Sequence, residues 1–214
     1  MSDAREKMPS WHDWVEAPLD LVHRARIAEA LGIHENDPAL ADVLGRPRFY
    51  DRVAAIVRAY YGLASLETIG PIDYADMPIV SLAPGRLSEL TYYAGALAHA
   101  ATIAARIDAR TVATIRSGIG DGPWRAALAH RPYDSRSPDR QIDDTTLLER
   151  IEFDGRSQVR QWLEAQPDAL GAWLRLGLFD GIDLGATPTA FGGSQNIVRQ
   201  AARALAERRE DPPI

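Results

Sequence analysis

One stretch constrains the fold of this chain more than any other: Arg86 to Ser117, RLSELTYYAGALAHAATIAARIDARTVATIRS, where a helical period persists for many turns. Leu87, Leu90, Ala94, Leu97, Ala101 and Ala104 fall three or four residues apart, the spacing that lines side chains along one stripe of an α-helix. Most of that stripe is small, and alanine at contact positions lets a second helix come close. The stretch is therefore read as the central packing helix of a mostly α, single compact helical domain with ordered Gly/Pro-rich connectors and little or no sheet. Whether it is one helix or two meeting at Asp108 is open at this level. Its least polar run, Tyr92 to Ile107, carries His99 and falls short of the ~20 apolar residues needed to span a bilayer.

Other helices are marked by their ends. Residues 1–10 are polar and expected to be flexible, so the helical domain is expected to cover 11–214. Trp11 and Trp14 fit one turn of helix docked as a hydrophobic anchor. A helix ending at Gly32 is expected over Leu19 to Leu31, and Asp37 followed by Pro38 is a helix start. From Pro47, the row Phe49, Val53, Ile56, Tyr60 lies beside the row Tyr50, Ala54, Val57, Tyr61; two adjacent apolar rows predict a broadly buried helix. Gly62 to Gly85 breaks the period, and its extended-looking MPIVSL segment is read as ordered loop, since one strand makes no sheet. Asp108 can cap a turn carrying Val112 and Ile115. Residues 131–143, RPYDSRSPDRQID, are the most turn-rich run and the candidate subdomain boundary. Thr145 to Ile151 reads as a short helix or strand, Gly155 as a break, and Ser194 as a cap for the last helix, with Ile197, Ala201, Ala204 and Leu205 facing inward.

The search for chemistry gives little. The chain has no cysteine, so disulfides, thiolate metal sites and a thiol nucleophile are excluded. His12, His23 and His34 recur every eleven residues, but on one helix they would stand ~16 Å apart and could not share an ion. His99 is off the apolar stripe and reads as a hydrogen-bonded packing histidine. Gly118, Gly120 and Gly122 lack the dinucleotide pattern, and no phosphate-loop lysine exists. Gly192 and Gly193 before Ser194 read as a glycine turn with a serine cap. Asp143 with Asp144, and Asp180 with Asp183, read as solvated turn acids, and there is no nucleophile elbow. No cofactor, metal or catalytic residue is assigned, and the chain is read as a non-enzyme. A formal net charge of -6 argues against nucleic acid as the main partner. The polar start, MSDAREKMPSWHDW, suggests no signal or anchor, so the cytoplasm is the expected location.

Two stretches carry a resemblance. Gly95, His99 and Ile103 in YAGALAHAATIAARI match the leucine-rich helix with Gly, then His four on, then Ile four further, of the type III secretion sorting-platform K subunits. The C-terminal third is similar to the same family: Trp162 and Leu163, then Pro167, the run Leu174 to Leu178, and the basic amphipathic segment Ile197 to Arg209. Phe179 stands where that family tends to have proline. The chain thus resembles the SctK group (YscK, PscK, MxiK and the rhizobial NolU proteins) over about residues 86 to 209. The resemblance implies a cytosolic adaptor of the injectisome, peripherally associated with the inner membrane. It would join the cytoplasmic domain of the ring protein SctD to the pod protein SctQ, and indirectly SctL and SctN, with no catalytic residue. Arg199, Arg203 and Arg208 on the last helix, with Arg136 and Arg140 in the polar loop, are the expected interface residues. The competing class is a helical regulator or enzyme binding a small molecule at the Gly192–Ser194 helix start or in a pocket lined by Tyr92, Tyr93 and His99.

Overall fold

The computed structural model describes residues 11–70, 72–82, 86–129, 139, 141–177 and 194–207. The described chain is all α, with no strand. Its contacts divide it into two compact units: residues 1–85 with 166–179, and residues 86–165 with 180–214.

The first unit contains α1 (Trp11–Glu16), α2 (Arg24–Leu31), α3 (Pro38–Leu44), α4 (Pro47–Tyr61) and α5 (Met77–Val80), with 3₁₀ turns at Pro18–Leu21, Leu66–Thr68 and Tyr74–Asp76. Local chemistry sets its punctuation. Gly32 and Gly62 close α2 and α4 with φ of 67° and 63°, a conformation in which a Cβ is strained. Asp37 Oδ1 accepts the Ala39 N–H at 2.8 Å to start α3, with Pro38 inside the first turn. The MPIVSL segment is neither strand nor simple loop; Met77–Val80 is a turn of helix that buries Ile79 and Val80. Its Pro78 lies in the first turn, where no N–H is required. Trp14 is buried, as an anchor should be.

A late segment completes this unit. In α11 (Asp168–Gly177) Leu170, Trp173 and Leu174 are buried. Trp173 Nε1 donates to the Ala64 carbonyl at 2.9 Å, and the Leu176 carbonyl accepts the His23 N–H at 2.8 Å. A buried indole N–H without such an acceptor would be costly.

The second unit contains α6 (Arg86–Ala98), α7 (Ala100–Ala104), α8 (Ala109–Ile119), α9 (Asp121–Ala129), α10 (Asp144–Glu164) and α12 (Ser194–Glu207). The 86–117 stretch is three helices rather than one or two. His99, with φ of -111° and ψ of 18°, kinks the chain, although His99 N–H to Gly95 O and Ile103 N–H to His99 O keep the hydrogen-bond ladder running. The kink moves the buried stripe by one residue: Leu87, Leu90, Ala94 and Leu97 are buried, but beyond it Ala100 and Ile103 are buried while Ala101 and Ala104 are only half covered. Asp108 caps α8, its Oδ2 accepting the Thr111 N–H at 2.9 Å.

The largest departure concerns α10. It runs for 21 residues straight through Gly155, which is therefore no break. Asp143 starts it, Oδ1 accepting the Thr146 N–H at 2.9 Å and Oδ2 the Thr146 hydroxyl at 2.7 Å. Those bonds hold the Asp143 carboxyl below its ordinary value. Just before it, the Ile142 carbonyl accepts from Arg106 and the Asp139 N–H reaches Thr102 Oγ1 at 3.2 Å. The end of the turn-rich run 131–143 is thus tied to α7 and to Arg106 just beyond it; residues 131–138 and 140 lie outside the described residues. Ala96, Ala100, Ile103, Ile115, Ile119, Trp124, Ala127, Leu147 and Ile151 form one core cluster of the unit.

Candidate functional site

Gly95 and His99, two of the residues that carry the resemblance, both meet α10. Against α6, α10 presents Ile151, Asp154, Gly155 and Gln158, all buried and spaced as a helical stripe. Gly95 and Gly155 let the two backbones cross at close range. A Cβ on Gly95 would lie 1.9 Å from the Ile151 carbonyl oxygen, and one on Gly155 would lie 1.9 Å from the Thr91 carbonyl oxygen. Both obstacles are helix backbone, so neither can step aside.

One turn on from Gly95, at the kink between α6 and α7, His99 is buried with its Nε2 2.8 Å from Asp154 Oδ2. Opposite a carboxylate, the ring nitrogen is the donor. The expected hydrogen-bonded packing histidine is what stands there. Ile103, one turn further, is fully buried in the core. Gly95, His99 and Ile103 therefore serve successive layers of packing: a close crossing, a buried polar tie and a core contact. A histidine and a carboxylate so enclosed satisfy each other, and no metal-holding group of three His, Asp or Glu side chains exists among the described residues.

The same stripe contains a polar cost. Among the described residues, neither amide atom of fully buried Gln158 has a hydrogen-bond partner, nor do the buried hydroxyls of Ser88 and Tyr93. Of the three residues expected to line a pocket, Tyr93 and His99 are buried, while Tyr92 lies at the surface. A cavity of about 170 Å³ lies in the first unit, lined by Tyr50, Ala54, Arg58, Leu66, Glu67 and Trp173 among others.

His12, His23 and His34 are engaged locally. His23 Nδ1 accepts the Ala25 N–H and His34 Nδ1 the Asn36 N–H, each at 3.2 Å, and His12 Nε2 lies 3.1 Å from Glu16 Oε1. The eleven-residue recurrence thus marks helix and turn starts for two of the three.

The expected interface residues divide. On α12, Ile197, Val198, Ala201, Ala202 and Leu205 are buried and Ala204 is half-buried. Arg203 is exposed, as an interface residue requires; Arg199 is half-buried and already engaged in an interaction within the chain. Arg208, Arg136 and Arg140 lie outside the described residues, as do Gly192 and Gly193. At the far end of α12, Arg86 Nη2 donates to the Leu205 carbonyl at 3.2 Å, a cation placed on helix C-terminal carbonyls.

Two things escape the sequence. Asp154, the partner of His99, is 55 positions away, and only its place with Gly155 and Gln158 inside the stripe from Leu147 through Ile151 to Trp162 signals burial. The second is in α4, where residues of one apolar row do not share one fate. Val53, Ala54 and Val57 are buried, whereas Ile56 and Tyr60 are exposed, so the broad buried face is a narrow one. The neighbouring α2 and α3 cover one side of α4 and leave Ile56 and Tyr60 exposed.

Among the described residues no helix is long and apolar enough to cross a membrane. Compared with protein-family models, with curated proteins and with solved structures, the chain matches none.

Proposed function

We propose that this chain is an adaptor of a type III secretion sorting platform, a K-type subunit that joins a SctD-like ring protein to a SctQ-like pod protein. One observation carries the reading: Gly95, His99 and Ile103, the residues of the resemblance, occupy three successive contact layers of one helical unit, each with a physical reason for its identity. A glycine is required where backbones nearly touch, a polar ring is required opposite Asp154, and a large aliphatic side chain fills the core. A motif of that kind specifies a scaffold, and a scaffold is what an adaptor needs. Its work would be binding geometry without turnover, on a surface whose acidic balance suits protein partners. Association with the inner membrane would come through the ring protein.

The test is co-expression with the SctQ-like protein and with the cytoplasmic domain of the SctD-like protein encoded in the same genome. Each should co-purify with the chain on size exclusion. Arg203→Glu, on the exposed side of α12, should weaken one of the two associations. Separate elution of the chain from both proteins overturns the proposal.

A further inference from the structure

α4 has more apolar surface than its unit uses. Phe49, Ile56 and Tyr60 stand seven and four residues apart, so they line one side of the helix over ~16 Å. Phe49 is half-buried, Ile56 is 37% exposed and Tyr60 is 55% exposed. Next to this row run Arg48 and Arg52, both exposed and one turn apart. Neither forms an ion pair among the described residues, and the Arg48 guanidinium rests over the Phe49 ring, 4.7 Å from its centre. Glu29, near Tyr60 at the other end of the row, is already engaged by Arg26 and Tyr61. The row therefore offers three apolar anchors beside two exposed arginines that form no ion pair among the described residues.

We propose that this side of α4 is a docking surface for a partner protein's amphipathic helix that carries carboxylates beside its apolar stripe. The occupant follows from complementarity. Three anchors in line over this length match the successive turns of one helix face, and Arg48 and Arg52 select carboxylates at its edge. An anionic membrane is the weaker fit, because membrane-surface attraction takes clusters of four or more basic residues and only two stand here. The inference goes beyond the secretion reading and does not rest on it, so the two fail separately.

The probe is a designed, fluorescein-labelled helical peptide of about five turns with leucines at i, i+3, i+4 and i+7 and glutamates along the stripe; its counterpart has lysines in place of the glutamates. Anisotropy titrations use the full chain. The glutamate peptide should bind and the lysine peptide should bind at least ~10-fold more weakly. Ile56→Glu should weaken the glutamate peptide at least ~10-fold. The double variant Arg48→Glu with Arg52→Glu should reverse the preference. Both sets of positions are at the surface, so thermal melts should match the parent protein. The proposal is overturned if neither peptide binds, if both bind alike, or if Ile56→Glu leaves binding unchanged. It is equally overturned if Ile56→Glu instead dissociates a dimer of the chain in sedimentation, or abolishes binding to phosphatidylserine vesicles that the peptide does not compete.

Discussion

Three helical glycines separate what a small residue does from where it happens to be. In an ordinary helix interior, alanine in place of glycine gains about 1 kcal/mol of helix propensity. At Gly95 the added methyl would collide with the Ile151 carbonyl and at Gly155 with the Thr91 carbonyl, so α6 and α10 must move apart and the helix preference is outweighed. Gly95→Ala is expected to cost about 1 to 3 kcal/mol, the range for forcing extra atoms into a packed site. At Gly118 the nearest atoms are the Leu148 methyls, the free end of a flexible side chain, 2.6 Å from where a Cβ would sit. Gly118→Ala should therefore be neutral or slightly stabilising. Urea unfolding of the three proteins measures the contrast, and equal effects at Gly95 and Gly118 would contradict the backbone-crossing account. Sequence spacing places Gly95 on α6; it cannot reveal that a carbonyl 56 residues later occupies the space beside it. Gly155 misleads in the same way, because a glycine required for close approach looks like a glycine that ends a helix.

At the level of the elements, pairing of helices is decided by polar details that periodicity does not carry. α2 and α4 are joined where the Tyr61 hydroxyl donates to Glu29 Oε2 at 2.7 Å and lies 3.1 Å from the Arg26 carbonyl oxygen. Tyr61 and then Arg26 hold the Glu29 carboxyl below its ordinary 4.5. A carboxylate with a lowered value stabilises the fold fully above 4.5 and loses that contribution as pH falls through the lowered value. Burial first, and Glu29 second, hold the Tyr61 hydroxyl above its ordinary 10.0, so its contribution is complete below 10.0 and disappears as pH rises towards the raised value. Tyr61→Phe removes both effects. The stability gap between parent and variant should be widest near neutral pH and narrower at about pH 3, as chemical denaturation at the two pH values can measure. A gap that does not change would mean that the hydroxyl does not bind the carboxylate. The apolar pattern of α4 teaches the complement. Its period correctly predicts a helix from Pro47, and Val53, Ala54 and Val57 find the core. Ile56 and Tyr60 have the same period yet stay exposed, since amphipathicity measures how much surface could be buried and not how much partner is available.

On the scale of the whole molecule, the all-α class was legible because capping residues, prolines and apolar periods agree with one another along most of the chain. Where tertiary contacts decide, they did not: α11 joins the first unit across a long stretch of sequence, through Trp173 to Ala64 and Leu176 to His23. Two compact helical units, a surface arginine at position 203 and an uncovered apolar row on α4 are compatible resources for a protein whose function is to hold others. The most direct measurement of the adaptor reading is affinity capture of the tagged full chain from its native cells, followed by peptide mass spectrometry. The account predicts recovery of the SctQ-like and SctD-like proteins together, with the SctL-like stalk protein and the SctN-like ATPase behind them; recovery of metabolic enzymes with no secretion component would contradict it.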